Sequence, residues 1–501
     1  DVLEAAKKLK IVGRAGVGVD NIDTNAATRL GIMVVNSPTG NIMAAAEHTI
    51  AMLMALARHV PAANASMKAG KWEKSKFVGI EVRNKTLGVI GLGKVGTAVA
   101  RRAQGLEMQI LAFDPFVSPE QARKQGITML SLDELLAQSN FITLHTSLTA
   151  GPNGTRGLIG KRELQLMKPG ARLINCARGG LIDEDALLEG LTSNHVAGAA
   201  LDVFSQEPVR DNAILKQLIA HEHVIVTPHL GASTEEAQVG VATDVAEQIV
   251  QVLRGGFPRA AVNAPLILPE TLQILQPYMT LLEKMGRLYT QLQPGPLHKI
   301  ELIYNGEIAS NDLRPLQAAL IKGMLEAVSD AHVNMINAQV LAKERGLEIT
   351  EQKSTTPAEF ANQVTLKVLN SNGYASSFAG KPGSGDEHVD VLSGTVMHGE
   401  ARIVRVGRYW TEFVPEGRIL FCRNPDRPGM IGRAGMILGK ANINIRHMDV
   451  GPSVRKPRSQ ETKGVHDTAL MVVSVDDPIP DWALQELGEA GDIFGVTVVN
   501  L

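Results

Sequence analysis

The sequence predicts an α/β chain organised around a doubly wound parallel sheet, and three observations carry that expectation. Between Lys85 and Gly231, short β-branched runs alternate with segments of helical composition. Several of those runs are apolar from end to end, as strands covered on both faces are. A glycine-rich turn, Gly91-Leu92-Gly93-Lys94-Val95-Gly96, follows one such run and opens a helical segment.

The 501 residues exceed one compact core and call for several domains. Hydrophobic residues make up 44% and charged residues 20%, with a formal net charge of -2. That balance gives no electrostatic footprint for nucleic acid or an anionic membrane. Aromatic residues, at 4%, are too few for base-stacking platforms. Two cysteines far apart, Cys176 and Cys422, fit a reducing compartment better than a disulfide scaffold. No apolar run approaches the roughly 20 residues of a membrane span; the longest, near Ile50 to Ala57, reads as a buried helix. A soluble intracellular protein is expected. The chain starts at Asp1 inside what reads as a helix from Leu3 to Leu9, so an N-terminal truncation is expected, which would hide any targeting segment.

The elements follow in order. Strands at Lys10–Arg14 and Gly31–Val35 are joined through the glycine-rich stretch Gly13–Gly18, and a long apolar helix covers Ala44–His59. Strands are then expected at Thr86–Ile90, Gln109–Phe113, Phe141–Leu144, Arg172–Asn175, Ala197–Leu201 and Val224–Thr227, with helices such as Gly96–Leu106 and Asp183–Leu191 between them. A helix over Ser233–Leu253 precedes the punctuation Gly255-Gly256-Phe257-Pro258. Residues 260–415 read as a separate α/β piece, with a strand at Lys299–Tyr304, a helix over Leu313–Asp330 and a polar loop at Gly380–His388. Residues 418–501 form a last small module.

The turn at Gly91–Gly96 has the spacing of a dinucleotide-binding fingerprint. Gly91 permits the tight turn, Gly93 lets the backbone approach a pyrophosphate, and Gly96 allows close packing of helix on strand. The helix N-terminus offers unpaired N–H groups to the phosphates. Alone the motif is weak, and a plain glycine turn explains it about as well. Asp114, eighteen residues beyond Gly96 at the end of the next strand, strengthens it. A carboxylate there can accept from both adenosine ribose hydroxyls and repels a 2′-phosphate, which favours NAD over NADP.

Three residues follow three further strands. Arg178, in Ile174–Gly180, can grip a carboxylate with two parallel hydrogen bonds. His229, in Thr227–Gly231, carries the side chain best suited to proton exchange near neutrality. It is one of 13 histidines, and on its own is an ordinary one. Glu207, in Asp202–Pro208, can pair with an imidazole and favour its charged form; its bland alternative is a solvated loop carboxylate. They gain weight together because each lies past its own strand, on the edge where open α/β sheets bind ligands. Carboxylate anchor, base and supporting acid are what hydride removal from a 2-hydroxy acid needs.

With these residues in view, the stretch from Gly13 to Gly231 resembles the D-isomer-specific 2-hydroxyacid dehydrogenases. The resemblance rests on the blocks Leu87–Gly96, Lys168–Asp183, Ala200–Pro208 and Pro228–Thr234. Gly13–Asp23, Ser66–Trp72, Val333–Ala342 and the two C-terminal pieces are similar to that family's long branch, which acts on 3-phosphoglycerate. The resemblance implies a Rossmann-type NAD-binding domain over residues 61–233 and a flavodoxin-like substrate domain over 1–60 and 234–258, N-terminally incomplete here. It further implies an intervening, allosteric-substrate-binding-like domain over 259–415 and a ferredoxin-like ACT regulatory domain over 416–501. By the same resemblance Arg178, Glu207 and His229 are catalytic. NAD is bound by Val17, Gly91, Gly93, Lys94, Val95, Gly96, Asp114, Thr146, Cys176, Ala177, Arg178, Asp202, His229 and Gly231, and substrate by Arg14, Asn41 and Arg178. Cys176 is then a packing residue rather than a nucleophile, and no metal is called for. Asp426, in the loop Asp426–Met430, and Asn444 match serine-binding positions of some relatives, which implies L-serine as an allosteric inhibitor at a subunit interface; a dimerisation module with no ligand explains the ACT-like piece equally well. A homodimer or homotetramer is implied, and the blocks Ala46–Ile50 and Ser66–Phe77, similar to plant and algal ones, imply a plastid as an alternative to the cytoplasm.

Three rival readings stand beside this one: a dehydrogenase of the family acting on glycerate or another 2-hydroxy acid, a nicotinamide-sensing binding protein without turnover, and a C-terminal half that is a free-standing amino-acid sensor. The dinucleotide fold alone does not separate them.

Overall fold

The structure, a computed structural model, describes residues 2–152, 154–265, 267, 269–293, 295, 297–329, 332–370, 388–453, 468–489 and 492–501. The chain divides into two compact units. One takes residues up to Gly13, Asp20–Val35 and Gln248–Leu501; the other takes Arg14–Val19 and Asn36–Glu247. Strands β1 (Ile11–Arg14) and β2 (Met33–Asn36) form a two-stranded pair.

The second unit is built on seven strands: β3 (Thr86–Ile90), β4 (Gln109–Phe113), β5 (Thr128–Met129), β6 (Phe141–Leu144), β7 (Ala171–Asn175), β8 (Val196–Leu201) and β9 (Val224–Val226). Their order is β5-β4-β3-β6-β7-β8-β9, and every pairing is parallel. The chain winds one way from β3 to β5, then returns to lay β6 on the other side of β3. That reversal is the crevice where open sheets bind ligands, beyond the carboxyl ends of the strands. The central strands are apolar throughout because both faces are covered: Val89, Ile142, Leu144, Leu173 and Ile174 have no exposed surface. Each such side chain stabilises the unit by about 1.5–3 kcal/mol.

One covering element is the helix Ile42–Arg58. Ala46, Leu53 and Ala57, at steps of four and seven, line its fully buried face together with Met52 and Leu56. It stops at His59, whose left-handed backbone (φ 54°) lets its N–H bond Ala55 O.

In the first unit, strands β10 (Lys299–Gly306), β11 (Glu348–Ser354), β12 (Asn362–Asn370), β13 (His388–Met397), β14 (Glu400–Val406) and β15 (Tyr409–Phe413) form a six-stranded sheet ordered β11-β10-β12-β13-β14-β15. The β10–β11 pair is parallel and the other pairs are antiparallel. Ile300, Leu302 and Tyr304 alternate along β10 into a core shared with the helices Pro269–Leu292 and Arg314–Glu326. Asn334 and Asn337 tie this region to the segment before β2: their side-chain amides donate to Gly31 O (2.7 Å) and Arg29 O (3.3 Å).

The last strands, β16 (Arg418–Pro425), β17 (Ile445–Pro452), β18 (Thr468–Val475) and β19 (Phe494–Asn500), form an antiparallel sheet ordered β17-β18-β16-β19. With the helices Met430–Lys440 and Asp481–Glu489 they trace the βαββαβ order of the expected ACT module. One face packs on those helices through Leu420, Cys422, Met471 and Val473; Phe421, Leu470 and Val472 on the other face join the core of the six-stranded sheet.

Some expected elements move. The opening helix spans Val2–Ala5 rather than Leu3–Leu9, and none of its residues is buried; with no packed face, so short a helix has little to extend it. The helix expected to Asp330 ends at Glu326. Strand β5, at two residues, is too short for a period to show. The polar loop expected at Gly380–His388 lies outside the described residues except for His388, which opens β13. Among the described residues, no helix is long and apolar enough to cross a membrane.

Candidate active site

The second unit carries every residue expected to act on cofactor and substrate. The glycine turn follows β3. Gly91 has φ +93°, and a Cβ there would stand 2.7 Å from His145 O. A Cβ at Gly96 would stand 2.0 Å from Gly91 O, so the first turn of the helix Lys94–Gly105 lies directly on the strand exit. Gly93 differs: its φ is −73° and, apart from its own chain neighbours and helix backbone, no atom of the described residues lies within 4 Å of its Cβ position. Nothing inside the protein demands glycine there. What a side chain would fill is the open space at the helix N-terminus, where free N–H groups receive phosphate oxygens. The turn therefore fits a dinucleotide pyrophosphate. Lys94 and Val95 begin the helix, and Thr146 follows β6 beside Gly91, its N 3.1 Å from the Gly91 Cβ position.

Asp114 directly follows β4 and has a task the sequence did not reveal. Its Oδ2 accepts from Leu92 N and its Oδ1 from Phe116 N, both at 2.8 Å. The carboxylate anchors the glycine turn. Its two oxygens offer about four lone-pair sites, so acceptor capacity remains for ribose hydroxyls.

Beyond β7, Asn175 staples the next loop: its Oδ1 accepts from Ala177 N (3.0 Å) and its Nδ2 donates to Arg178 O (2.9 Å). The Arg178 guanidinium donates to Ala177 O at 2.7 Å. A Cβ at Gly179 would lie 1.7 Å from Phe204 O, so the loop after β7 presses on the loop after β8. In that second loop Glu207 Oε1 accepts from Phe204 N (2.9 Å), which aims Oε2 at His229 Nδ1, 2.7 Å away. Nδ1 is engaged by the carboxylate, and Nε2 is left as the nitrogen for proton exchange. An apolar cavity of about 550 Å³, bounded by Phe204, Val209, Ile219 and Val226, backs the pair.

His229 has φ +57°, a left-handed backbone uncommon for a side-chain-bearing residue. Its N–H is directed at Asp202 O (2.9 Å) and Thr227 O (3.1 Å). The Asp202 carboxylate, fully buried, holds the neighbours: Oδ1 accepts from Thr227 Oγ1 (2.6 Å) and Leu230 N (2.7 Å), and Oδ2 from Gly231 N (2.9 Å). Burial alone would raise its pKa, but hydrogen bonds from His48, Thr227 and Leu230 outweigh it and hold the carboxyl below its usual range. His48 reaches this carboxylate from the helix Ile42–Arg58, with Nε2 3.2 Å from Oδ1. Sequence reasoning missed His48; nothing local distinguishes it among the histidines.

Two other groups sort themselves by burial. Cys176, after β7, has its thiol pushed up to about 12 by burial, assisted by the Asp202 charge, which fits a packing role. His145 is pushed down to about 4 by burial, and so weak a base is a poor proton acceptor.

The expected substrate residues lie on a loop pair tied internally. Ser37 N donates to Gly16 O (3.0 Å) and Asn36 Nδ2 to Val17 O (2.6 Å). Arg14 is exposed and donates to Ala15 O at 2.7 Å; Asn41 precedes the helix Ile42–Arg58 without capping it through its side chain.

The expected allosteric pair is separated within one chain. Register places Pro425 opposite Thr468, but Arg418 and Ile445 both opposite Val475. Asp426, past the end of β16, and Asn444, before β17, therefore stand at opposite ends of the sheet. Seven residue steps at strand rise make that roughly 23 Å. Asn444 Nδ2 donates instead to Asp476 Oδ2 at 2.7 Å.

Comparison with known proteins agrees with this architecture. Residues 50–231 match the D-isomer specific 2-hydroxyacid dehydrogenase NAD binding domain, residues 274–406 the D-3-phosphoglycerate dehydrogenase intervening domain, and residues 418–491 the ACT domain. The D-3-phosphoglycerate dehydrogenase of Synechocystis sp. is 44% identical over 501 residues, covering 100% of this chain and 85% of that protein. D-3-phosphoglycerate dehydrogenase 2, chloroplastic, of Arabidopsis thaliana is 44% identical over 97% of this chain and 76% of its own length. The Bacillus subtilis D-3-phosphoglycerate dehydrogenase is 40% identical over 100% of this chain and 90% of its own. With glycine turn, arginine loop and Glu207–His229 pair all at one edge of a parallel sheet, and with likeness running through both C-terminal modules, the chain belongs to the D-3-phosphoglycerate dehydrogenase family.

Proposed function

We propose that the chain catalyses NAD-dependent oxidation of 3-phospho-D-glycerate to 3-phosphohydroxypyruvate and the reverse reduction, opening the phosphorylated route to L-serine. The observation that carries the reading is the 2.7 Å Glu207–His229 pair standing at the same sheet edge as Arg178 and the glycine turn. When bound, NAD supplies the hydride acceptor. The turn at Gly91–Gly96 receives its pyrophosphate and Asp114 its ribose, with Val17, Thr146, Cys176 and Ala177 lining the cofactor cleft and the buried Asp202 and Gly231 at its back. Arg178 holds the substrate carboxylate through paired hydrogen bonds, and Arg14 and Asn41 contact the rest of the substrate. His229 Nε2 takes the C2 hydroxyl proton as the C2 hydride departs, and Glu207 stabilises the imidazolium that forms. In reduction the same nitrogen returns the proton.

The division of labour in this reading assigns residues 61–233 to the cofactor, 1–60 and 234–258 to the substrate, and 259–415 with 416–501 to regulation. It includes a homodimer or homotetramer inhibited by L-serine at Asp426 and Asn444, each drawn from a different copy, and a cytoplasmic or plastid setting. The test is NADH oxidation with 3-phosphohydroxypyruvate, with and without L-serine, with sedimentation giving the copy number. Turnover supports the substrate, and serine inhibition the role of the ACT module. NADH binding without turnover would transfer the reading to another 2-hydroxy acid or to a nicotinamide-sensing protein.

A further inference from the structure

We propose that His48 is a positioning residue for His229, acting through the buried carboxylate of Asp202; this rests on the reading of His229 as the proton-exchanging residue. Nε2 of His48 lies 3.2 Å from Asp202 Oδ1 and 3.1 Å from Thr227 Oγ1. The Thr227 hydroxyl donates to Asp202 Oδ1 at 2.6 Å, so the hydrogen at Nε2 of His48 is shared between that oxygen and the hydroxyl. One carboxylate thereby gathers a helix, the end of β9 and the two amides that follow His229. A fully buried carboxylate has no water to complete its shell, so each donor contributes to its orientation.

The consequence falls on His229. Its left-handed backbone, at φ +57°, is uncommon for any residue with a side chain, and it persists where its surroundings over-determine it. Here they do so through Asp202: its carbonyl accepts from His229 N, its Oδ1 from Leu230 N and its Oδ2 from Gly231 N. Without the His48 donor, Asp202 Oδ1 keeps Thr227 and Leu230 but loses the contact to the helix Ile42–Arg58. The carboxylate can then rotate and the His229 loop sample other backbone states. The pyrophosphate and ribose contacts of NADH, at the glycine turn and Asp114, do not depend on this link, although Asp202, His229 and Gly231 stand at the cofactor cleft; the larger effect therefore falls on proton delivery from His229.

The test compares His48→Leu, which removes the donor, with His48→Gln, whose amide can still donate to Asp202. In the full chain, His48→Leu lowers kcat on the order of 10- to 100-fold, as displacement of a reacting group by about an ångström does. The KM for NADH changes by a smaller factor than kcat in the same variant, and His48→Gln recovers most of the loss. The His229 ring resonance in a histidine-labelled sample, assigned through His229→Asn, broadens or splits in His48→Leu and returns to one line in His48→Gln. Unchanged kcat in His48→Leu, a glutamine variant as impaired as leucine, or an undisturbed resonance overturns the proposal. If His48→Leu does not fold, Thr227→Val, which removes the other side-chain donor to the same oxygen, must give the same split of kcat from KM. Should the wild type fail to reduce 3-phosphohydroxypyruvate, the substrate reading falls while the resonance still decides the positioning role.

Discussion

Gly93→Ala and Gly96→Ala separate a glycine kept for the ligand from one kept for the fold. At Gly96 the added Cβ would stand 2.0 Å from Gly91 O, a backbone atom that cannot rotate away. Overpacking of this kind costs typically 1–3 kcal/mol, and a backbone clash belongs at the upper end, about 3 kcal/mol. Alanine inside a helix returns about 1 kcal/mol relative to glycine. The net destabilisation is then about 2 kcal/mol, which for a unit of this size lowers Tm by roughly 4–8 °C. At Gly93 the Cβ meets nothing within 4 Å and φ is an ordinary −73°, so Tm stays within about 2 °C while the methyl group occupies the phosphate approach. NADH affinity, read by fluorescence titration, falls on the order of ten-fold or more, a loss of about 1.4 kcal/mol. Thermal unfolding followed by near-ultraviolet circular dichroism supplies the other axis. Equal loss of Tm in both variants, or Gly93→Ala binding NADH like wild type, refutes the reasoning.

Three further outcomes follow from the structure. Asp114→Ala weakens NADH and narrows its preference over NADPH, and because the carboxylate also anchors Leu92 and Phe116 it costs about 1–3 kcal/mol of stability; an unchanged cofactor preference in steady-state assays would sink the ribose role. His229→Ala lowers turnover on the order of 10²–10⁴, the usual weight of a general base, and near-normal kcat would remove it from that role. The thiols of Cys176 and Cys422 are pushed by burial from the ordinary 9.0 to about 12, so the folded chain binds their protons more tightly than the unfolded one. Their contribution to stability is complete below pH 9 and is lost as pH climbs towards 12, a decline that urea midpoints across that range would show; neither thiol should react with iodoacetamide at pH 8 in the folded chain, and rapid alkylation would contradict the assignment.

Parallel topology made much of this site legible in the sequence. Strands covered on both faces must be apolar throughout, so Thr86–Ile90 and Phe141–Leu144 stood out with their observed limits. Once the strands are placed, parallel pairing puts all their carboxyl ends on one edge, which is why Gly91, Asp114, Arg178, Glu207 and His229 could be grouped before any distance was known. Local chemistry hid the rest. The turn-anchoring bonds of Asp114 depend on how β4 lies beside β3, and the staple by Asn175 on the path of a loop. His48 lies 154 positions from Asp202, on a helix whose pattern reports burial but not what a polar residue at its margin touches.

The ACT module shows where that legibility stops. Its sequence order, strand, helix, strand, strand, helix, strand, is readable, but what a residue faces depends on spatial order, and β17-β18-β16-β19 is not the order of the chain. Asp426 and Asn444, eighteen residues apart, look like neighbours in a compact module. The helix between them returns the chain to the starting end of the sheet, and β16 and β17 both run antiparallel to β18, hence parallel to each other. The end of one strand and the beginning of the other must then be a strand length apart. A molecule the size of an amino acid cannot touch both within one chain, so an effector that used both would have to lie between two copies, and for such an effector binding would be inseparable from assembly.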